Sequence, residues 1–332
     1  MPTLYVIEPG ARIEKEYRRL LVTVDDEVVR SVPLRRVTQV VLGRGVGATT
    51  PALRALLREG VSLSLINQWG RLEGMLMSAE AKNIPLRQKQ CARAQDAAFC
   101  LEISRSIVAG KLRNERNLAR RMMRAHPNLV ASERVERIQQ ALAQVQMAES
   151  LSELRGLEGA GARAYFAVFR AVLEDAHGFE RRQRRPPKDP INAMLSLGYS
   201  LLTQNLMTAC RVVGLDPYDG FFHSDKYGRP ALALDLVEEF RHVIVDSVVM
   251  RLVNRNMISG KDFEPGERGG VHLKQKALRV FFQQYEARLQ TRVKHPLSDR
   301  KFSYQQIFEI QARQLRRCIE GTAEAYKPFL TR

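Results

Sequence analysis

A glutamate set among glycines is the first residue that could carry chemistry. Glu158 lies in the segment LRGLEGAGARAYF, with Gly156 and Gly159 on either side and Gly161 after them. Three glycines weaken a helix by roughly 1 kcal/mol each relative to alanine. Their use here would be to let a ligand or another part of the backbone come close to the carboxylate. The alternative is an exposed glutamate in a loop that precedes a helix.

A second set of acidic residues falls on one predicted helix, which begins at about Ala233 after a turn-rich stretch that contains His223. On a 3.6-residue wheel, one sector about 100° wide contains Asp235, Glu238, Glu239, His242 and Asp246. Carboxylates and an imidazole suit Mn²⁺ or Mg²⁺ bound with several waters, and such an ion lets an acidic face approach phosphate. The plainer alternatives are a solvated face of an amphipathic helix and a structural histidine.

The charge of the chain indicates a polyanionic partner. There are 53 Lys and Arg against 36 Asp and Glu, a formal net charge of +17, which is typical of proteins that bind nucleic acid. Charge alone does not separate DNA from RNA or from an anionic membrane. One candidate phosphate-binding run, stiffened by Pro186 and Pro187, consists of Arg181, Arg182, Arg184, Arg185 and Lys188; a second track runs from Lys111 to Arg124. The alternative for the first run is a flexible solvated loop.

The chain is predicted to have an α+β fold with two parts. Short β-branched runs in the first eighty residues predict a small sheet, and TTPALRALLREG predicts one helix with a threonine cap and a proline in its first turn. From Ile84 onward the pattern is mostly helical. We therefore expect a small N-terminal β-sheet domain over residues 1–80, a linker near residues 78–86, and a larger all-α catalytic domain over residues 81–332.

The four cysteines, the N-terminus and the least polar segment favour a cytoplasmic protein. Cys91, Cys100, Cys210 and Cys318 have no C-x-x-C spacing and no zinc pattern, so buried, reduced thiols are expected. The N-terminus has no signal-peptide layout. The uncharged segment 190–210 carries a polar residue every four positions, which fits a buried helix better than a membrane span.

Four blocks in fixed order carry a resemblance to a known family. They are VVLGRGVGATTPALRALLREGVSLSLIN in the N-terminal part, GLEGxxARxYF around Glu158, RRPPKDPxNAxLSxGYSLL, and a histidine followed by RPALALDLxEEFR. Together they look like CRISPR-associated protein one and cover nearly the whole chain. The resemblance implies the same two-part fold, with the β-domain as the dimerisation surface.

The resemblance also implies a site and a reaction. By motif, the family's metal ligands fall on Glu158, His223 and Glu238, and Asp235 matches a supporting acidic position. Because many members have Asp at the third ligand position, Glu239 stays an alternative to Glu238. The implied activity is that of a DNA endonuclease and integrase dependent on Mg²⁺ or Mn²⁺. It joins spacer DNA to a CRISPR array by attack of a 3′-hydroxyl on a repeat phosphodiester, without ATP.

The partners implied are double-stranded DNA with single-stranded or branched ends, a second copy of the chain, and a dimer of CRISPR-associated protein two. Arg163, in the block around Glu158, is a further candidate for contact with DNA. Two other functions stay open from the residues alone. One is a non-catalytic architectural DNA-binding protein, in which the acidic stripe is a solvated face, and the other is an RNA-processing nuclease.

Overall fold

The computed structural model describes residues 3–68, 70, 72–78, 83–129, 131–173, 177–184, 186–223, 227–266, 269–296, 298 and 300–331. Its N-terminal part contains eight strands: β1 (Thr3–Val6), β2 (Arg12–Glu16), β3 (Arg19–Val24), β4 (Glu27–Pro33), β5 (Gln39–Leu42), β6 (Gly47–Ala48), β7 (Ser62–Ile66) and β8 (Leu72–Leu76). They form two four-stranded sheets, ordered β1-β5-β7-β8 and β4-β3-β2-β6. In the first sheet β1, β5 and β7 are parallel and β8 is antiparallel.

The one helix predicted in this part is confirmed as α1 (Thr50–Arg58). The Thr49 side chain accepts a hydrogen bond from the Ala52 N–H, and Pro51 occupies the first turn, where its missing N–H has no intrahelical role. Strand β2 is not one of the β-branched runs that predict a sheet in this part. Its sequence RIEKE is charged, and only Ile13 is buried, so its place depends on pairing with β3 rather than on its own pattern.

The remaining chain is mostly helical. Its helices are α2 (Ile84–Gln95), α3 (Ala97–Ala125), α4 (Ser132–Gln144), α5 (Leu151–Ala171), α6 (Pro190–Val212), α7 (Ala231–Val237), α8 (Ser247–Asn254), α9 (Gln275–Gln290) and α10 (Tyr304–Glu320). Helix α3 packs against α4 and α5, and α6 against α7 and α10. Buried side chains from α3 to α10 form one hydrophobic core, and a second core lies among the N-terminal strands and α1.

The expectation that this part is all-α is wrong in one respect. Two antiparallel ribbons interrupt the helices: β9 (Phe263–Pro265) with β10 (Val271–Leu273), and β11 (Arg292–Lys294) with β12 (Lys301–Ser303). Strands of three residues are too short to give a period-2 pattern, so the sequence showed only turn residues here. The mixed α/β class itself, with strands first and helices after, is confirmed.

Two smaller expectations can be compared with the fold. Cys100, Cys210 and Cys318 are buried as expected, but Cys91 is exposed on α2, so the expectation was wrong for that residue. Within the described residues, no helix is both long and apolar enough to cross a membrane. The predicted domain boundary stays a prediction, and residues 79–82 of the expected linker lie outside the described residues.

Candidate functional site

The predicted acidic helix is broken where its carboxylates stand. Helix α7 ends at Val237, a turn follows, and residues His242–Asp246 form a π-helical segment before α8 begins. Helix α6 comes very close at this point, because a Cβ added to Gly198 would lie 2.4 Å from Val245 Cγ1. Single π-turns inside helices occur often at functional sites. Because of this break, side chains that an unbroken helix would place on one face point in different directions.

Glu238 and Glu239 therefore serve different neighbours. The Glu239 carboxylate accepts hydrogen bonds from the Phe329 N–H at 2.6 Å, from the Gln311 amide at 3.0 Å and from the Tyr326 hydroxyl. Burial raises the pKa of Glu239 to about 7, although these hydrogen bonds oppose the rise. Glu239 thus binds residues 326–331 to the helical core. Its carboxylate contacts these residues and Gln311 rather than the groups around Glu158.

Asp235 holds the loop that carries His223. Its Oδ2 accepts hydrogen bonds from the N–H groups of Phe221 and Phe222, at 2.7 and 3.0 Å. Its Oδ1 accepts one from the His223 N–H at 2.9 Å and lies 2.7 Å from His223 Nδ1. A carboxylate at Nδ1 requires the proton on that nitrogen. The other ring nitrogen, Nε2, faces Glu238, whose Oε1 lies 3.8 Å away.

The carboxylates of Glu158 and Glu238 both contact the ammonium of Lys111, which lies between them. The Lys111 Nζ to Glu238 Oε2 distance is 2.6 Å, and Glu158 Oε1 is the other contact. Arg241 donates to Glu238 Oε1 at 2.7 Å. Burial alone would raise the pKa of Glu238, but Arg241, Lys111 and His223 together hold it well below its ordinary value. Glu158, His223 and Glu238 are thus brought together from three separate segments.

Lys111 itself is almost fully buried, with 3% of its side chain exposed. Burial lowers the pKa of this ammonium, but the charges of Glu238 and Glu158 outweigh burial, and the net shift is upward. Within the part of the chain that the structure describes, no three His, Cys, Asp or Glu side chains already stand as a metal-binding set. Lys111 lies between the carboxylates of Glu158 and Glu238.

Helix α5 carries Glu158 and also contacts the loop that contains His223. The glycine-rich segment is helical throughout, so the alternative of a loop before a helix is wrong. A Cβ on Gly161 would meet Leu112 Cδ2 at 2.2 Å, so Gly161 allows α3 and α5 to pack closely. Arg155, one turn before Glu158, donates to the Phe222 carbonyl at 2.9 Å. The loop of His223 is therefore bound from two sides.

The site is accessible at Glu158 and His223, whose side chains are 23% and 18% exposed. The alternative of a solvated acidic face is wrong for every one of its members, since all are buried: Asp235, Glu238, Glu239, His242 and Asp246. His242 and Asp246 have buried polar partners of their own. His242 Nε2 lies 3.0 Å from Glu115 Oε1, and Tyr199 donates to Asp246 at 2.6 Å. Carboxylates packed in this way are built into the core rather than left as a charged surface.

The basic run before α6 divides into exposed and packed members. Arg181, Arg184 and Lys188 are exposed. Arg182 instead donates to Asn192 and Ser196 of α6, at 2.8 and 3.1 Å, and lies over the Tyr199 ring. Burial lowers the pKa of Arg182 to about 10. Arg185 lies outside the described residues, and Arg163 is exposed on α5.

Two cationic residues of the site were not identified from the sequence. Lys111 was counted in a basic DNA track, and Arg241 was only a letter in a motif. A signal for Lys111 was present, because it lies three and four residues after the apolar Val108 and Ile107, on the buried face of α3. A charge on such a face predicts a buried partner of opposite sign.

Comparison with known proteins gives one consistent result. Residues 4–287 match the family model described as CRISPR associated protein Cas1. The chain is 37% identical over 332 residues to "CRISPR-associated endonuclease Cas1 3" of Thermus thermophilus, covering 99% of this chain and 97% of that protein.

Two solved structures have a similar fold. The first is a casposase bound to an integration product, with a TM-score of 0.86, 24% identity, and coverage of 98% of this chain and 93% of that one. The second is a Cas6-RT-Cas1–Cas2 complex, with a TM-score of 0.80, 25% identity, and coverage of 98% of this chain and 36% of that one. The match to the family model and to a relative named as an endonuclease does not favour the non-catalytic alternative.

Proposed function

Because the chain belongs to the Cas1 family of CRISPR-associated endonucleases, we propose that it is a metal-dependent DNA endonuclease and integrase that inserts spacer DNA into a CRISPR array. The reaction is attack of a DNA 3′-hydroxyl on a phosphodiester of the repeat, and with water as the nucleophile the same site cuts DNA. The observation that supports this best is that Glu158 and Glu238 contact one buried ammonium, with His223 Nε2 3.8 Å from Glu238 Oε1.

The residues present fit a hard divalent ion, Mg²⁺ or Mn²⁺. Glu158 and Glu238 offer carboxylate oxygens, and His223 offers Nε2, a donor set that suits these ions when waters complete the shell. A cation is already attracted to the point between the two carboxylates, as the Lys111 contacts indicate. When bound, the ion polarises the phosphate oxygen and stabilises the leaving oxygen.

The other residues of the site keep these three groups ready. Asp235 keeps the proton of His223 on Nδ1, so that Nε2 stays available. Arg241 keeps the Glu238 carboxylate charged and fixes its direction. The exposed basic residues Arg163, Arg181 and Lys188 would hold DNA phosphates, which supplies affinity and register without reading sequence.

The proposed partners follow from the family and from the surface. The Cas1–Cas2 complex among the similar structures supports the Cas2 protein as a partner, and the casposase bound to an integration product supports DNA. That the Cas2 protein is a dimer and that the DNA has branched or single-stranded ends is part of the proposal and follows from the family resemblance. Strand β4 is the edge of its sheet and exposes Val28 and Val29. An exposed apolar edge strand is suited to pairing with another chain, which supports a homodimer through the β-domain.

The experiment compares Glu158→Gln and Glu238→Gln with wild type on branched DNA and on duplex DNA with free 3′-hydroxyl ends, in Mn²⁺ and in EDTA. Both variants should lose cleavage and strand transfer by more than about a hundredfold, since outer-shell partners alone give 10- to 100-fold. DNA binding should persist, because phosphate contacts supply it. EDTA should abolish the activity of the wild type.

The matched control is Glu136→Gln, an exposed glutamate on α4 outside the site. It should act like wild type in every assay. Full activity of Glu158→Gln, or activity that is indifferent to EDTA, would overturn the proposed site. A strong preference for RNA with no need for a 3′-hydroxyl would favour an RNA-processing nuclease instead.

A further inference from the structure

Lys111 is buried in the middle of α3, where an ammonium must be compensated. Ile107, Val108 and Leu112 surround it on the same face of the helix and are fully buried. An unpaired charge in such a place costs several kcal/mol, so the position of Lys111 depends on its partners. Those partners are the two carboxylates that the proposed metal site requires.

The contacts are made across three elements. Lys111 on α3 reaches Glu158 on α5 and, at 2.6 Å, Oε2 of Glu238 in the turn after α7. The second oxygen of Glu238 is held by Arg241 at 2.7 Å. Without the ammonium, two partly desolvated carboxylates would face each other and repel. Lys111 therefore joins the two carboxylates of the site to each other.

We propose that Lys111 is a built-in counterion of the site, which holds Glu158 and Glu238 together in the metal-free protein and competes with the divalent ion for them. This inference rests on the proposed function. Lys111 is a positioning residue, since it acts through the two carboxylates. Any interaction that stabilises the metal-free state more than the metal-bound state lowers metal affinity. Lys111 therefore stabilises the metal-free site but lowers its affinity for the divalent ion.

The metal-bound protein must also accommodate the displaced ammonium. Glu115 lies one turn further along α3, is fully buried, and acts on the Lys111 ammonium through its charge. Glu115 gives Lys111 a negatively charged neighbour that is not one of the proposed metal ligands. In this proposal the exchange of counterions moves the Lys111 side chain along its own helix toward Glu115.

The test uses the full chain and Mn²⁺ as the probe, with no activity assay. Mn²⁺ binding is measured from the EPR signal of the free ion, and thermal unfolding is followed with and without Mn²⁺. The variants are Lys111→Met, which keeps most of the side-chain volume without the charge, and Glu158→Gln. The control is Lys301→Met, an exposed lysine on β12.

Without metal, Lys111→Met should unfold roughly 5–15 °C below wild type, since it leaves buried carboxylates without their cation. It should bind Mn²⁺ roughly tenfold more tightly or better, because a competing charge is removed, and saturating Mn²⁺ should recover most of the lost stability. Lys301→Met should match wild type in both measurements. Lys111→Met that binds Mn²⁺ no better than wild type overturns the inference.

The two proposals can fail separately. If wild type binds Mn²⁺ and Glu158→Gln does not, the metal site stands, and only the Lys111→Met result decides the counterion role. If Glu158→Gln binds Mn²⁺ as well as wild type, the proposed site itself falls. If Lys111→Met folds only when Mn²⁺ is added, the inference is supported; if it folds in neither condition, the lysine has a role that the ion cannot replace, and the inference is overturned.

Discussion

At the scale of single residues, the site depends on how buried charges are matched. The Glu238 carboxylate is buried, yet its pKa lies well below the ordinary value because Arg241, Lys111 and His223 surround it. The neighbouring Glu239 is equally buried, is held by uncharged donors, and has its pKa raised to about 7. Two adjacent glutamates therefore have opposite shifts, and only Glu238 is kept as a charged group beside His223.

We expect Asp235→Asn to damage the site without contacting the ion. The amide would keep one oxygen and place an NH₂ group against two of the donors that now meet the carboxylate, on the loop from Phe221 to His223. Mn²⁺ affinity should fall roughly 10- to 100-fold, and the free energy of unfolding should fall by about 2–4 kcal/mol. EPR titration and chemical denaturation measure the two effects. Unchanged Mn²⁺ affinity would contradict the role given to Asp235.

At the scale of elements, the site is built where regular structure stops. An unbroken helix after Ala231 would leave Glu238 and Glu239 about 100° apart and both near one face. Because α7 ends at Val237 and a turn follows, Glu238 instead contacts Lys111, and Glu239 contacts residues 326–331. Residues 326–331 are bound to α3 as well, since Asn114 on α3 donates to the Phe329 carbonyl at 2.8 Å.

Phe329 should therefore be important to stability although it is far from α7 in sequence. Its ring is 2% exposed and stacks on Phe240, with centroids 5.5 Å apart. Phe329→Ala should lower the free energy of unfolding by about 3–5 kcal/mol, measured by chemical denaturation. The control is Tyr227→Ala, a fully exposed aromatic side chain, which should change stability by less than about 0.5 kcal/mol. Equal effects of the two would contradict the anchoring role.

Much of this architecture could be predicted from local pattern. The capped helix α1, the early strands and the long helices α3 and α6 follow from periodicity and capping. The motif around Glu158 and the loop histidine His223 were also found, because their neighbours recur in fixed order. These features depend on residues close together in sequence.

What could not be predicted depends on contacts between distant residues. The solvated face stayed open as an alternative for the acidic stripe because Lys111, the cation that contacts Glu238, lies more than a hundred residues away on α3. The break after Val237 has no proline or glycine in it, and the close approach of Gly198 on α6 was not visible in the pattern. Arg182 looked like a free phosphate ligand, yet it packs into α6. In each of these places, contacts between distant residues determine the structure and override the local sequence preference.

At the scale of the whole molecule, a basic protein contains a cluster of carboxylates whose charge is balanced by nearby cations. The net charge is +17. Glu238 is buried beside Lys111, Arg241 and His223, and the partly exposed Glu158 is paired with Lys111. Their field is therefore neutralised close to its source, while exposed Arg and Lys act at longer range. A phosphate backbone can approach the site without meeting an uncompensated negative surface.

This arrangement predicts how binding depends on salt. Each phosphate contact that is lost should lower the slope of log K against log salt concentration by about one. Arg181→Ala with Arg184→Ala should thus reduce the slope for duplex DNA by roughly two and weaken binding about equally for all sequences, as measured by fluorescence anisotropy at several salt concentrations. Arg54→Ala with Arg58→Ala removes the same charge from exposed positions on α1 of the N-terminal part and should leave the slope unchanged. Equal losses from both pairs would mean that net charge, rather than a phosphate-binding run before α6, holds the DNA.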